Sequence, residues 1–147
     1  MTNLQAEKLL GWKEWIVLPE LQLPPIKAKV DTGAKTTCLH AFEINPEWID
    51  DQEWIEFKVH PLQNNVDEII SCRAPVHDKR PVTDSGGHTE ERYVIKTPIR
   101  VGDWQHDVEI TLTARDNMRF RALLGRNAMI SGHFIVNPGQ AHLQNKP

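Results

Sequence analysis

Apolar residues recur with a period of two along most of this chain, the spacing of half-buried β-strands rather than of amphipathic helices. In "WIEFKV" (54–59), Ile55, Phe57 and Val59 alternate with Trp54, Glu56 and Lys58. In "DVEITLTA" (107–114), Val108, Ile110, Leu112 and Ala114 alternate with Asp107, Glu109, Thr111 and Thr113. Ile26, Ala28 and Val30 share one face of a third run, with Lys27 and Lys29 on the other. "YVIKTPIRV" (93–101) also reads as a strand, and Pro98, which lacks a ladder donor, predicts an edge or a bulge there.

Turn chemistry separates these runs. Gly102-Asp103 predicts a two-residue hairpin loop between Val101 and Trp104, and Asp84-Ser85-Gly86-Gly87 a longer turn. Helix is scarce. "NPEWIDDQ" (45–52) predicts a short helix start, with Asn45 as cap and Pro46 in first position, and "RNAMIS" (126–131) predicts about one and a half turns ending before Gly132. Many short strands with little helix predict an all-β fold, a small antiparallel barrel or sandwich.

The 147 residues fit one domain, with no repeats, low-complexity tracts or linker. A net charge of −3 argues against a nucleic-acid partner, and no run nears the ~18 apolar residues of a membrane span. The opening "MTNLQAEKLLGWKEW" has no continuous apolar core and no small-residue cleavage site, so no signal peptide is expected. Two cysteines, Cys38 and Cys72, make no disulfide framework, and the expected compartment is the reducing cytoplasm.

The chemistry centres on "VDTGA" (30–34). Val30 closes a strand on Asp31, so rigid backbone aims the carboxylate; Thr32 can bond locally, and Gly33 tolerates a tight conformation. Two such carboxylates brought together cannot both ionise, so one acts as base on a water while the other protonates the carbonyl oxygen. The competing reading is a solvated turn residue, since Asp-Thr-Gly is also a common way to leave a strand. A second element bears on the choice: "FRALLGRNAM" (120–129), in which Phe120, Ala122 and Leu124 form an apolar strand running into Gly-Arg-Asn and a short helix.

Val-Asp-Thr-Gly-Ala followed far downstream by Leu-Leu-Gly-Arg-Asn resembles the retropepsin-type aspartic peptidases. From "GWKEWIVLPEL" through "KAKVDTGAKTTCLHA", "FKVHPLQ" and "SGGHTEERYVI" to "LLGRNAM", the chain is similar to the bacterial family called "ATP-dependent zinc protease", or RimB-like. The resemblance implies a single domain over 1–147: a small closed antiparallel β-barrel of retropepsin (acid protease) type, with one short helix near the C-terminus. It implies Asp31 as the catalytic residue, Thr32, Gly33 and Ala34 as its loop, and Leu123, Leu124, Gly125, Arg126 and Asn127 as the support behind it. It further implies a peptide or protein-tail substrate, and an association with ATP-grasp glutamate ligases that modify a ribosomal protein. The family label's metal finds no counterpart here. There is no His-Glu-x-x-His, and Cys38 with His40, Cys72 with His77, and His88, His106 and His133 are scattered, so no metal and no other cofactor is expected. A zinc-dependent hydrolase assembled from distant residues is the least favoured reading.

The second carboxylate has one internal candidate, Asp84 in "VTDSGGH", but only 53 residues separate it from Asp31 and no second apolar-apolar-Gly segment supports it. Asp31 is therefore expected to meet its own copy in a homodimer. Ser85, Gly86 and Gly87 are expected to form a mobile hairpin tip over the substrate. The 94 residues from Asp31 to Gly125 exceed the usual retropepsin interval, which places an insertion around 42–80, with Trp48 and Trp54 as core or interface filler. Lys35 stands where retropepsins often carry an acidic residue. With Arg73, Lys79, Arg80, Arg92 and Arg126 it could make an anion-friendly cleft for a glutamate-rich tail; the alternatives are a solvated face and, for Arg126, a structural salt bridge. Lys35, Ser85, Gly86, Gly87 and Arg92 are the expected substrate contacts. The alternative function is a non-catalytic peptide-binding module working with a glutamate ligase.

Overall fold

The computed structural model describes residues 8–84, 86–114, 119–144 and 146. In chain order the elements are β1 (Leu9–Leu10), β2 (Lys13–Ile16), β3 (Ile26–Val30), β4 (Thr37–His40), β5 (Phe42–Ile49) and β6 (Gln52–Val59). Then come β7 (Ile70–Pro75), β8 (Asp78–Thr83), β9 (Thr89–Val101), β10 (Trp104–Thr113), β11 (Ala122–Leu124), α1 (Arg126–Ser131) and β12 (Ile135–Val136). A 3₁₀ turn over Pro19–Leu21 joins β2 to β3. The architecture is mostly β, with α1 the one α-helix among the described residues. It is far too short to cross a membrane, and no helix of the described residues is long and apolar enough to do so.

Seven strands form one mixed sheet in the order β2-β3-β11-β4-β10-β9-β8, while β5-β6-β7 form a second, antiparallel sheet. The alternation read from the sequence sorts the faces. Ile55, Phe57 and Val59 are fully buried, as are Ile26, Ala28, Ile110 and Leu124, and these side chains join one core between the sheets. The three strands of the second sheet all come from the segment 42–80. They cover the core through β7, which packs against β9 and the 3₁₀ turn, and Ile55, Phe57, Cys72 and Ala74 join the same buried cluster as Leu21 and Ile95.

The expected closed barrel does not form. Among the described residues β2 and β8 are the two edges of the large sheet and do not pair. One antiparallel bridge between Val17 and Arg100, with N···O distances of 2.9 and 2.8 Å, ties the end of β2 to β9 but does not continue as a ladder. The cause is local: Pro19 starts the 3₁₀ turn, which carries the chain away after four strand residues. The helix expected over 45–52 is likewise replaced by strand and turn. Asp50 and Asp51 adopt φ of 49° and 65°, the left-handed pair that closes a tight β5–β6 hairpin. Pro46 is tolerated because β5 is an edge strand, and the Asn45 amide bonds the Glu43 carbonyl instead of capping a helix. The Gly102-Asp103 loop and the helix at 126–131 form as read. Pro98 lies beyond Val94, where the β8 ladder on β9 has ended.

Glu14 anchors the C-terminal segment. Its carboxylate is fully buried and accepts backbone hydrogen bonds from Gly11 (2.7 Å), Leu143 (2.9 Å) and Gln144 (3.0 Å). A glutamine here would present an N–H₂ group to one of those donors. Glu14→Gln should therefore lower unfolding stability by about 2 kcal/mol and speed carboxypeptidase trimming of the C-terminus. Urea denaturation and timed digestion would check both effects.

Candidate active site

β11 runs between β3 and β4, parallel to the first and antiparallel to the second, so its end arrives directly behind the loop that joins them. That loop is residues 31–36. Asp31 N–H donates to the Leu124 carbonyl (3.0 Å), and the Asp31 carbonyl accepts from Ala34 N–H (3.2 Å). Farther round, the Ala34 and Lys35 carbonyls accept from Arg126 N–H (2.8 Å) and Asn127 N–H (3.0 Å) at the start of α1. Arg126 Nη1 donates to the Thr32 carbonyl at 2.9 Å. The loop is thus tied along its length to the segment 124–127. Asp31 Oδ1 accepts from Gly33 N–H at 3.0 Å, while Oδ2 accepts no hydrogen bond from any described residue.

The support depends on how closely two backbones approach. A Cβ on Gly125 would stand 2.5 Å from the Thr36 carbonyl carbon and 2.7 Å from Thr37 N. Thr37 Oγ1 accepts from Gly125 N–H (3.1 Å) and donates to Asn127 Oδ1 (2.8 Å). Asn127 Oδ1 also accepts from Thr37 N–H (3.0 Å), and its Nδ2 donates to the Glu109 carbonyl of β10 (2.8 Å). Thr37 is 1% exposed and Asn127 half-buried, so the Thr37 end of this network is shielded from solvent. Thr37 was not singled out from the sequence: in Thr36-Thr37 it reads as an ordinary β-branched strand residue, and only the arrival of Gly125 gives its hydroxyl this role.

A cavity of about 550 Å³ opens above Asp31. Asp31, Gly33, Ala34 and Lys35 form one wall, and Arg80 through Asp84 of the β8–β9 hairpin form the other. Cys38, Thr111 and Leu123 make the floor, with Arg92 and Arg126 also lining it. The cations differ in state. Arg80 is paired with Glu109 and Asp78, each at 2.8 Å, and Arg92 Nε with Glu90 at 2.6 Å. Lys35 and Arg126 make no ion pair with any described residue, so the salt bridge considered for Arg126 does not form among them. Of the wider set of cations, Arg73 and Lys79 lie outside the cavity, paired with Glu47 and Glu91.

Among the expected substrate contacts, Lys35 and Arg92 line the cavity, Gly86 and Gly87 sit at the hairpin tip without lining it, and Ser85 lies outside the described residues. Thr32 is exposed and also outside the lining; Leu124, Gly125 and Asn127 stand behind the loop. Asp84 lines the cavity, but its Oδ1 accepts from Gly86 N–H (2.9 Å) and His88 N–H (3.0 Å), shaping the hairpin turn. The donor set does not fit a zinc centre: no group of three or more His, Cys, Asp or Glu among the described residues could share a metal. Cys38 Sγ is 3.6 Å from Arg92 Nη1, and Cys72 Sγ is 3.8 Å from the Leu21 carbonyl. Burial raises both thiols above the ordinary range, Cys72 to about 11, whereas metal ligation needs thiolate.

Comparison with known proteins gives three findings. The family described as "RimB-like: Retropepsin-like aspartic endopeptidase RimB" matches residues 9–147. Proteins named "Probable alpha-L-glutamate ligase" from Parasynechococcus marenigrum and Desulfotalea psychrophila are 47% and 45% identical over 134 and 133 residues. Those matches take in 91% and 90% of this chain but only 28% of each relative's length. A Legionella pneumophila protein with unknown function has a crystal structure that superposes with a TM-score of 0.75 at 26% identity, covering 91% of this chain and 95% of that one.

Proposed function

The chain belongs to the RimB-like family of retropepsin-like aspartic endopeptidases, and from that premise we propose that it hydrolyses peptide bonds in acidic protein tails through Asp31. The observation that carries this reading is the state of Asp31. One carboxylate oxygen is held by Gly33, the other is unengaged by described residues, and the loop is pinned from behind where it forms one wall of a cavity of about 550 Å³. In a homodimer, Asp31 and its counterpart in a second copy share one proton. The ionised carboxylate takes a proton from a water as its oxygen attacks the peptide carbonyl carbon. The protonated carboxyl gives its proton to the carbonyl oxygen, and the C–N bond breaks as a proton passes to the leaving nitrogen. The β8–β9 hairpin covers the bound strand. Lys35 and Arg126, which make no ion pair with any described residue, attract glutamate side chains, and a cytoplasmic setting suits the reduced thiols.

A second reading rests on the relatives' names. Proteins called glutamate ligases carry a region similar to this chain over about a quarter of their length, which favours a peptide-binding module that presents acidic tails to a ligase. Mass spectrometry of a peptide pool containing oligoglutamate tails, incubated from acidic to neutral pH with and without chelator, decides between them. Cuts within acidic segments are expected, insensitive to chelator, with specific activity rising as sedimentation shows dimer forming. Binding without cuts at any pH would replace the peptidase by the module; cuts lost on chelation would require a metal mechanism.

A further inference from the structure

The outer strands of the large sheet carry cations that the chemistry above does not use. Lys13 on β2 stands directly opposite Lys29 on β3, and Trp15 opposite Lys27. Like charges facing each other across strands are destabilising, yet none of Lys13, Lys27, Lys29 or Lys146 makes an ion pair with any described residue. Two indoles lie against three of them: Lys27 Nζ and Lys146 Nζ lie 5.4 and 4.3 Å from the Trp15 ring, and Lys13 Nζ lies 4.8 Å from the Trp12 ring. His142 lies 5.9 Å from the Trp15 ring. Burial first, then the charges of Lys13 and Lys27 against the opposing pull of Glu14, hold it below the usual histidine range.

Strand register joins this patch to the cleft. Lys29 is opposite Leu123, Leu123 opposite Cys38, and Cys38 opposite Thr111. Directly opposed residues project to the same face of a sheet, and Leu123, Cys38 and Thr111 are the cavity floor. Lys29 and Lys13 therefore continue the row of the floor outward to the β2 edge. We infer that the β2–β3 face is a docking surface for an acidic polypeptide segment that runs on from the Asp31 cleft. Point charges rather than aromatic platforms dominate this surface: an ammonium group already lies against each indole, which disfavours stacking of a nucleic-acid base there. The chain's net charge of −3 also works against long polyanions, whereas a short acidic segment meets only the local cations. As an extension of a substrate path this rests on the proposed peptidase reading, but its test needs no turnover.

The test is fluorescence anisotropy of labelled oligoglutamate and of an oligouridylate of equal charge, using the full chain. Lys13→Gln/Lys29→Gln should weaken oligoglutamate binding roughly tenfold at low salt, an effect that shrinks at high salt. A short neutral peptide confined to the cleft should bind unchanged. The equal-charge control Lys58→Gln/Lys96→Gln should shift oligoglutamate binding less than twofold, and thermal melting would verify that both double variants are folded. No binding by the native chain, equal losses in both double variants, or tighter oligouridylate than oligoglutamate would each overturn the inference. Lysine-dependent binding without any cleavage would instead sink the peptidase reading and leave this surface standing.

Discussion

Asp31→Asn will lower the rate of peptide cleavage by roughly 10³-fold or more, the scale expected when a general acid/base group loses its proton-accepting oxygen. The fold should not change. Asparagine is isosteric, its Oδ1 can still accept the Gly33 N–H bond, and the Leu124 and Ala34 bonds use Asp31 backbone only. The variant should therefore melt within a degree or two of the native chain and bind oligoglutamate with similar affinity. Steady-state cleavage of a fluorogenic acidic peptide beside a melting curve makes the distinction. Full activity in the variant would remove Asp31 from the chemistry. Lost activity with a collapsed melting transition would show that the side chain's role is structural.

Gly125→Ala should produce the opposite signature, a large loss of stability from a single methyl group. The Gly125 backbone, at φ −92° and ψ 176°, suits any residue, so the cost is steric rather than conformational. The added carbon would meet the Thr36 carbonyl carbon at 2.5 Å, Thr37 N at 2.7 Å and the Thr36 oxygen at 2.8 Å. These are backbone atoms of the loop end and of β4, which cannot rotate aside. Relief requires β11 to retreat from β4, which would strain the Gly125–Thr37 bond and the Asn127 network behind it. A destabilisation of about 3 kcal/mol is expected, at the upper end of overpacking costs. That is a large share of the 5–15 kcal/mol typical of a domain. Urea denaturation should show the midpoint falling with the slope unchanged, and cleavage should fall with it because the Asp31 loop loses its brace. An unchanged midpoint would mean the two backbones are not in this contact in solution.

These two substitutions separate what can be read along the chain from what cannot. The alternation of Ile55, Phe57 and Val59 with Trp54, Glu56 and Lys58 sets the buried face of β6, because side-chain direction in a strand follows from residue parity alone. The strand end at Asp31, the short helix at Arg126–Ser131 and the Gly102-Asp103 loop are equally local. "NPEWIDDQ" shows the limit of local signals. Asn45 and Pro46 are good helix-start chemistry, yet pairing with β6 and the left-handed turn at Asp50-Asp51 override them. Sheet closure was beyond such reading too, since it depends on whether β2 reaches β8, and the 3₁₀ turn at Pro19 diverts the chain first.

The site divides along the same line. Residue type and order along the chain determined that Asp31 ends a strand in a small-residue loop, and that an apolar strand leading to Gly125 follows far downstream. Which cations are neutralised was decided only by folding, because a charge is cancelled by its neighbour in space. Arg80 meets Glu109 across the sheet, Arg92 meets Glu90 two residues away on β9, Arg73 and Lys79 meet Glu47 and Glu91 elsewhere, and Lys35 and Arg126 meet no acid among the described residues. The row from Thr111 through Leu123 to Lys29 and Lys13 is likewise a product of register, for it brings residues of β10 and β11 beside β2, β3 and β4 from the other end of the chain.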